Sequence, residues 1–408
     1  MRKIILFGLT LIVFNCLNAQ NINDNKVSFS YIQLPLIKID DGLTKYEVRV
    51  SHGYLDANKD SLALHEARKT EAQESFDRAL LTYQNTCAAI KRNYLTNMAK
   101  WETRSNAGAT TSNGLPLPKP VNPGYPAPPV YPVVKAPRLH TEYDEEIVKR
   151  GINIKGFESG LGGSILSLNL LPIRNVRIIK TRKGSGASTK YQYKCEYTLP
   201  IELKLETPTQ GPILERVLFQ EKKTYSMKEY KSQYDFKIYM LDNEGQFYNE
   251  LEHYARSKAI AWANTFINDQ VGYVSKRRNT EIYSVKKFKN YDYSDLTNAY
   301  SATVQALTLI GNDRDRSSAM DKLDAALELW SEIMMESNTY DKKARINDKI
   351  SAMIQCNIAE IKIWQSKFNE ANATLNLALN SGVLKAKIHA KKMPSLYSSL
   401  EQRWRVNY

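Results

Sequence analysis

Apolar and polar residues alternate along several stretches of the chain, and this period of two is typical of half-buried β-strands. Two such stretches lie near the beginning, at 26–39 and 45–50. Others follow residue 139, and they read INIKGF, SILSLNLLPI, RNVRIIK, KYQYKCEYTLPIELKLE, ILERVLFQ and YDFKIYML. The pattern predicts a β-sandwich-like domain made of residues 20–57 and 139–243.

Between these two groups of strands the period changes to that of a helix. We predict a helix over 61–104, with Asp60 or Ser61 as its N-cap. Its apolar positions are separated by steps of three and four residues, close to a repeat of 3.5. They are Phe76, Leu80, Tyr83, Cys87, Ile90, Tyr94, Met98 and Trp101. A helix with such a stripe needs a partner that covers it.

The residues after this helix are rich in proline. Pro120, Pro123, Pro126, Pro129 and Pro132 recur at every third position, which is the period of the polyproline II helix. The extended length of this stretch matches the length of the preceding helix. We therefore favour a projecting insertion at 58–138 in which the two pack together as a hairpin. The alternative is a disordered linker.

From residue 244 to 408 the pattern is mainly helical. The stretch NIAEIKIWQSKFNEANATLNLAL resembles a tetratricopeptide repeat, and AMDKLDAALELW is a second, partial match. The resemblance implies stacked helix pairs. Its packing positions are Ala319, Leu323, Ala326, Ala359, Phe368, Ala371, Leu375 and Ala378. The two matches are 52 residues apart rather than about 34, and Lys362 departs from the usual pattern. The predicted fold class is therefore α+β, with a β-sandwich-like domain, a helix and polyproline insertion, and an all-α tetratricopeptide-like domain.

The first nineteen residues have the features of a secretory signal. Arg2 and Lys3 precede an apolar run that is too short to span a bilayer. The ending NAQ resembles signal-peptidase sites of the Bacteroidota, so cleavage would leave Gln20 first. Lipidation at Cys16 is disfavoured, because Val13 and Asn15 fit a lipobox poorly. We expect an exported protein, in the periplasm or associated with the outer membrane, that is not transmembrane.

The chain is basic, with a formal net charge of +14. Export makes nucleic acid an unsuitable partner, so an anionic cell-wall polymer or lipid surface is the alternative that charge suggests. The even spread of the charge is also explained by solubility alone. After cleavage Cys87, Cys195 and Cys356 remain, an odd number that permits at most one disulfide.

No constellation of residues predicts catalysis. The five histidines are not at metal-ligand spacing with another His, Cys or carboxylate. GFESGLGGS and KGSGASTK read as turns rather than as a nucleophile elbow or a phosphate loop. We expect no catalytic, cofactor-binding or metal-binding residues.

These features predict a non-catalytic exported scaffold that contacts other proteins of a cell envelope. Candidate interaction residues are Tyr125 and Tyr131 of the proline stretch and Lys342, Lys343 and Arg345 of a charged segment. The alternative is a glycan- or peptidoglycan-binding protein that uses strand tyrosines for stacking. The chain has 25 tyrosines, and half-buried strand positions also account for them.

Overall fold

The computed structural model describes residues 21–40, 42–186, 189–287, 290–311 and 316–408. The predicted signal peptide and Cys16 lie outside these residues. The strands are β1 (Asn21–Gln33), β2 (Lys45–Ser51), β3 (Glu158–Ser159), β4 (Ser164–Leu170), β5 (Arg174–Lys183), β6 (Lys190–Thr198), β7 (Ile201–Thr207), β8 (Gly211–Leu218), β9 (Lys223–Tyr230) and β10 (Val274–Lys287). The helices are α1 (Gly53–Asn106), α2 (Glu145–Gly151), α3 (Gln233–Val271), α4 (Ser294–Leu309), α5 (Arg316–Met335), α6 (Asp348–Trp364), α7 (Phe368–Asn380), α8 (Leu384–Lys392) and α9 (Pro394–Asn407). The protein is mixed α+β, as the sequence predicts.

Two sheets form the β-rich part. The larger has the strand order β3-β2-β4-β7-β8, in which β2 is parallel to β3 and β4 while β7 is antiparallel to its neighbours. The smaller is antiparallel, with the order β5-β6-β9. Alternate side chains of β4 and β7 are buried, which matches the period of two that predicted them. Both sheets contribute to one hydrophobic core.

Helix α3 is the third component of that core. Its fully buried apolar residues recur at every fourth position, and they are Phe247, Leu251, Ala255, Ala259, Ala263, Ile267 and Val271. Because four residues exceed one helical turn, such a row winds slowly around the helix. The alanines at its centre have small side chains, which allow the helix to approach its neighbours closely.

The prediction of a strand for YDFKIYML (234–241) is wrong, because these residues form the first turns of α3. Ser232 and Asp235 make a capping box in which each side chain accepts a hydrogen bond from the other residue's backbone N–H. The aromatic ring of Phe236 then stacks on Tyr193 of β6, with 3.6 Å between ring centroids. The cap and this tertiary contact favour the helix over the strand that alternation suggested.

The N-terminal strand β1 pairs with β10 in a two-stranded antiparallel ribbon, from Ile22 opposite Val285 to Gln33 opposite Val274. It ends before Pro35, which has no N–H to donate to a partner strand. The two strands of the 20–57 segment therefore lie in different places. β2 belongs to the five-stranded sheet, whereas β1 packs with the C-terminal helices.

The C-terminal helices pack around this ribbon in two further cores. One core joins β1 and β10 to α4, α5 and α6, and Trp330 at its centre donates from Nε1 to Thr303 Oγ1 at 2.9 Å. The other joins α6, α7 and α8. Among the helices in the described part of the chain, none has the length and hydrophobicity needed to cross a bilayer.

Candidate functional site

The longest element of the protein is α1, and with the proline segment it forms a projection that we call the arm (residues 53–140). The predicted helix over 61–104 is confirmed, and it begins earlier, at Gly53, whose N–H donates to Asn169 Oδ1 at 3.0 Å. From residue 73 to 104 the half-buried positions are those of the predicted stripe, and the other side chains of this range are exposed. The stripe is therefore covered along its whole length.

The proline segment covers the stripe by returning along α1 in the opposite direction. At the outer end, Trp101 Nε1 donates to the carbonyl oxygen of Leu117 at 2.9 Å. Further inward, the rings of Phe76 and Tyr131 meet edge to face with centroids 5.4 Å apart. These contacts place the segment antiparallel to the helix.

The inner end of the hairpin is closed by Asn58 and His140. The His140 N–H donates to Asn58 Oδ1 at 2.7 Å, and Asn58 Nδ2 donates to the His140 carbonyl oxygen at 2.9 Å. From Asn58 to Trp101 the helix rises about 65 Å. From Leu117 to His140 a chain with the polyproline II rise spans about 71 Å. The two lengths agree closely, so the return segment is extended to nearly that degree.

The side chains of the return segment divide between the helix and solvent. Leu117, Pro120, Pro129, Val134 and Pro137 are half-buried, whereas Pro123, Pro126 and Pro132 are exposed. A further row at every third position points away from the helix. It contains Val121, Val130 and Val133, which are 86%, 87% and 95% exposed. We call these three valines the outer row.

The two candidate tyrosines lie between these faces. Tyr131 contacts Phe76 and is 42% exposed, and Tyr125 is 57% exposed. Both therefore present part of a ring to solvent. An exposed aromatic ring on a rigid extended segment can pack against a partner with little loss of conformational entropy.

Charge is distributed unevenly along the arm. From residue 79 to 134 the charged residues are Lys91, Arg92, Lys100, Arg104 and Lys119 against the one acidic residue Glu102. The part nearer the body contains both signs, with ion pairs such as Lys59–Asp56 at 3.2 Å and Lys69–Glu66 at 2.9 Å. In the described part of the chain the five outer cations make no ion pair, and Lys119 lies over the Trp101 ring. The outer half is therefore a basic surface.

A buried polar cluster, which we call the root cluster, joins the arm to α3. His140 Nδ1 lies 2.7 Å from Glu252 Oε1, and Arg256 Nη2 donates to Glu252 Oε2 at 3.2 Å. The Arg256 guanidinium stacks on the ring of Tyr54 at 3.7 Å, a favourable cation–π contact. The Tyr54 hydroxyl accepts a hydrogen bond from the N–H of Tyr143 at 2.9 Å. These contacts fix both ends of the arm to the body.

The charges in the root cluster favour the ionised form of Glu252. Burial opposes ionisation of Glu252, but His140 and Arg256 outweigh this effect and hold its pKa below the usual value. Two nitrogens of Arg256, Nε and Nη1, are buried without a hydrogen-bond partner in the described structure. A buried guanidinium in this position depends on its carboxylate partner and on the Tyr54 ring.

The sequence pattern did not reveal the root cluster. Glu252 and Arg256 are four residues apart on α3, and this pairing is visible in the sequence. His140, however, is 112 residues from Glu252, and it follows the proline segment. Only the return of that segment to the body brings the two side chains together.

Lys342, Lys343 and Arg345 were predicted as candidate interaction residues, but Arg345 is engaged within the protein. Arg345 makes ion pairs of 2.7 Å with both Asp295 and Glu336, and hydrogen bonds to these carboxylates raise its pKa. It therefore joins the α4–α5 region to the loop before α6. Lys342 and Lys343 are exposed on that loop.

All the residues predicted to pack in the helical repeats are buried. Ala359, Ala371, Leu375 and Ala378 lie in the core between α6, α7 and α8. Leu323 and Ala326 lie in the core around the ribbon, and Ala319 and Phe368 are also buried. Small side chains at these contacts allow the helix backbones to approach closely.

Metal binding and glycan stacking each require a particular arrangement of side chains. Within the described residues there is no group of three His, Cys, Asp or Glu side chains that could hold a metal ion. The strand tyrosines Tyr193, Tyr197 and Tyr230 are buried in the core of the two sheets and do not form an exposed stacking row.

No protein-family model matches the chain, and neither a curated protein nor a solved structure does. What the protein does is therefore inferred from its own geometry.

Proposed function

We propose that the protein is a non-catalytic exported scaffold or adaptor that contacts other proteins in the periplasm or at the outer membrane of a Bacteroidota-type cell. The observation that supports it best is the arm. It projects about 65 Å, is fixed by hydrogen bonds at both ends, and presents the outer row of valines to solvent. The outer row spans about 37 Å from Val121 to Val133 at the polyproline II rise, and an exposed apolar edge of that length suits a protein partner better than a small substrate.

The proposal includes a finer fold assignment. The two sheets with α3 form a β-sandwich-like body, and α4 with α5 and α6 with α7 form two degenerate tetratricopeptide-like pairs. In support of this, the alanines at the expected packing positions are buried. Two such pairs are fewer than the three or so that form a deep groove, so the helical face would dock partners on a flat surface.

Site-specific photo-crosslinking in the native cell envelope tests the scaffold function. A photoreactive residue replaces Val121, Val130 or Val133 in the outer row. Val217, an exposed valine of β8, is the matched control on the body. The proposal predicts adducts with the same envelope protein from the outer row and none from Val217. Recovery of no protein adduct from any outer-row position would contradict it.

A second candidate function is binding to an anionic cell-wall polymer such as peptidoglycan. The unpaired cations of the outer arm support it, whereas the buried strand tyrosines do not. Sedimentation with purified cell wall, in low and high salt, tests this candidate. Lys91→Glu with Arg92→Glu should abolish salt-sensitive binding. Lys222→Glu with Lys231→Glu, on exposed positions of the body, should leave it unchanged.

A further inference from the structure

A cleft lies between the β1–β10 ribbon and α8, far from the arm in sequence. It has a volume of about 430 Å³ and is lined by Lys26 of β1, residues 278–281 of β10, and His389 and Lys392 of α8. This volume is within the range of small-molecule sites in proteins. The scaffold function does not account for its polar lining.

The floor of the cleft is organised by a buried carboxylate. Glu360 of α6 is fully buried, and it accepts hydrogen bonds from Arg278 Nε at 3.2 Å and Nη2 at 3.0 Å. It also accepts from Thr280 Oγ1 at 2.9 Å and Trp364 Nε1 at 2.9 Å. Burial opposes its ionisation, but Arg278 and these donors outweigh burial and hold the pKa of Glu360 below its usual value. The Arg278 side chain is thus locked in place at the edge of the cleft.

Arg278 retains one hydrogen-bonding nitrogen. Its Nε and Nη2 are used by Glu360, while Nη1 has no partner in the described structure and is not among the buried unsatisfied atoms. Lys26 and Lys392 are exposed and make no ion pair in the ranges that the structure describes. The wall of the cleft therefore carries three cationic side chains and one carboxylate, that of Glu281, which lies opposite Lys26 in the ribbon.

The orientation of His389 is set by a relay of hydrogen bonds. The Tyr283 hydroxyl donates to Glu281 Oε2 at 3.0 Å, and His389 Nδ1 lies 2.9 Å from the same hydroxyl oxygen. Since that hydroxyl has a single proton, His389 Nδ1 carries a proton and donates it to the Tyr283 oxygen. Burial lowers the pKa of His389, although Glu360 and Glu281 oppose this effect. The ring is thus neutral at neutral pH, with a lone pair on Nε2.

This Nε2 atom is an acceptor without a donor. His389 is buried and lines the cleft, and its Nε2 has no hydrogen-bond partner among the described residues. A ligand that complements these groups has two features. It has an oxyanion that the cationic side chains can bind, and a hydroxyl that can donate to the imidazole.

We propose that the cleft binds a small hydroxylated oxyanion, a carboxylate or a phosphate ester, between Lys26, Arg278 and Lys392, with a hydroxyl of the ligand donating to His389 Nε2. Two of the four side chains of this site are fixed independently of each other. Arg278 is held by Glu360, and His389 is held by Tyr283. The site is a binding site, and no chemical step is assigned to it.

Isothermal titration of the full mature chain with four probes tests the site. Inorganic phosphate and acetate carry the oxyanion alone, and glycerol 3-phosphate and glycerate add a neighbouring hydroxyl. These pairs also distinguish phosphate from carboxylate. We expect the hydroxylated probe of at least one pair to bind more tightly than its partner. Lys392→Glu should weaken that binding about tenfold or more, because it replaces an attractive charge by a repulsive one.

The neighbouring residue supplies a matched control. Lys391 is exposed and does not line the cleft, so Lys391→Glu makes the same change in net charge and should alter affinity less than twofold, because screening weakens charges outside the site. His389→Phe keeps a ring but removes the acceptor nitrogen, so the preference for the hydroxylated probe should be lost. This preference is a ratio of two affinities measured on one folded sample. Absence of binding by all four probes, or equal weakening by the two lysine variants, would overturn the proposal.

Discussion

Trp101 and Leu117 join the two segments of the arm at its outer end, where the indole Nε1 donates to the backbone carbonyl oxygen at 2.9 Å across 16 residues of chain. Among the described residues, no other hydrogen bond from a side chain to the backbone joins the stripe of α1 to the proline segment. We therefore expect the outer end of the arm to depend on this hydrogen bond more than the rest of the arm does.

Trp101→Phe removes the donor and keeps most of the apolar ring. We expect it to lower the free energy of local opening at 94–106 by about 0.5–1.5 kcal/mol, the usual contribution of one hydrogen bond. Hydrogen exchange of the backbone amides measures this quantity. Leu95→Ala, at an exposed position of the same turns, is the control and should change protection little. Equal protection in Trp101→Phe and the natural chain would show that the contact is not limiting.

The prolines divide into two sets that can be compared directly. Pro120 and Pro129 are half-buried against α1, whereas Pro123 and Pro126 are exposed. Replacing either pair by alanine reduces the stiffness of the segment, but only the first pair also removes packing. The double variant of Pro120 and Pro129 should therefore lower the helical circular dichroism of an isolated 53–144 fragment more than the other. Identical melting of the two would argue for a stiff but unpacked segment.

The sequence predicted the arm well because its signals are local. Steps of three and four residues indicate a helix with one apolar face. Prolines at every third position indicate a polyproline II helix. Both patterns are set by residues close together in the sequence. The pairing of β1 with β10 could not be read in this way, because its partners are up to 266 positions apart, as for Asn21 and Lys287. The helical start of α3 was missed for a related reason. Alternation at 234–241 fits a strand, and the contact of Phe236 with Tyr193 that favours the helix is tertiary.

The candidate-site residues were likewise predicted well where local spacing decides their position and poorly where a distant partner does. Ala371 and Ala378 were placed in a core by a local spacing, and both are buried. Arg345 was read as one of a run of available cations, but its partners Asp295 and Glu336 come from other segments. Charge runs in a sequence indicate exposure only when no distant carboxylate reaches them.

The contact between α6 and α7 should tolerate no added volume. Ala371 is fully buried there, so Ala371→Leu should destabilise the chain by about 1–3 kcal/mol through overpacking. Ala373 is exposed on the same helix, and Ala373→Leu should change stability by less than about 0.5 kcal/mol. Urea unfolding followed by tryptophan fluorescence gives both values. If the two variants unfolded alike, the close approach of these helices would be wrong.

The three cysteines in the described part of the chain should differ in reactivity. Burial raises the pKa of the Cys195 thiol to about 11 and that of Cys356 to about 12, whereas Cys87 is half-buried in the stripe of α1. Because the thiolate is the reactive form, a thiol reagent at pH 8 should modify Cys87 alone in the folded protein. All three should react in denaturant.

Labelling of Cys87 then reports on the arm itself. Trp101→Ala should increase the labelling rate at Cys87, because the covering segment separates from the helix more often, and should leave Cys195 and Cys356 unreactive. Mass spectrometry of timed samples assigns each site. Fast labelling of Cys195 in the natural chain would contradict the burial of that thiol.

The root cluster gives a dependence of stability on pH. The pKa of Glu252 is held below its ordinary value of 4.5 in the folded chain, so the folded state favours the carboxylate more than the unfolded state does. Its contribution is complete above that ordinary value and is lost as the pH falls through the lower, folded pKa. Glu252→Gln leaves Arg256 buried without its counter-ion, which should cost about 3–5 kcal/mol at neutral pH. The variant cannot lose stability through protonation of Glu252, so the stability curves of the variant and the natural chain should converge as the pH falls below 4.5.

Glu250→Gln, at an exposed position of the same helix, is the control and should reproduce the natural curve. Urea unfolding between pH 3 and 7 measures all three proteins, and curves for Glu252→Gln and the natural chain that stay parallel would exclude the ion pair as the source of the pH dependence.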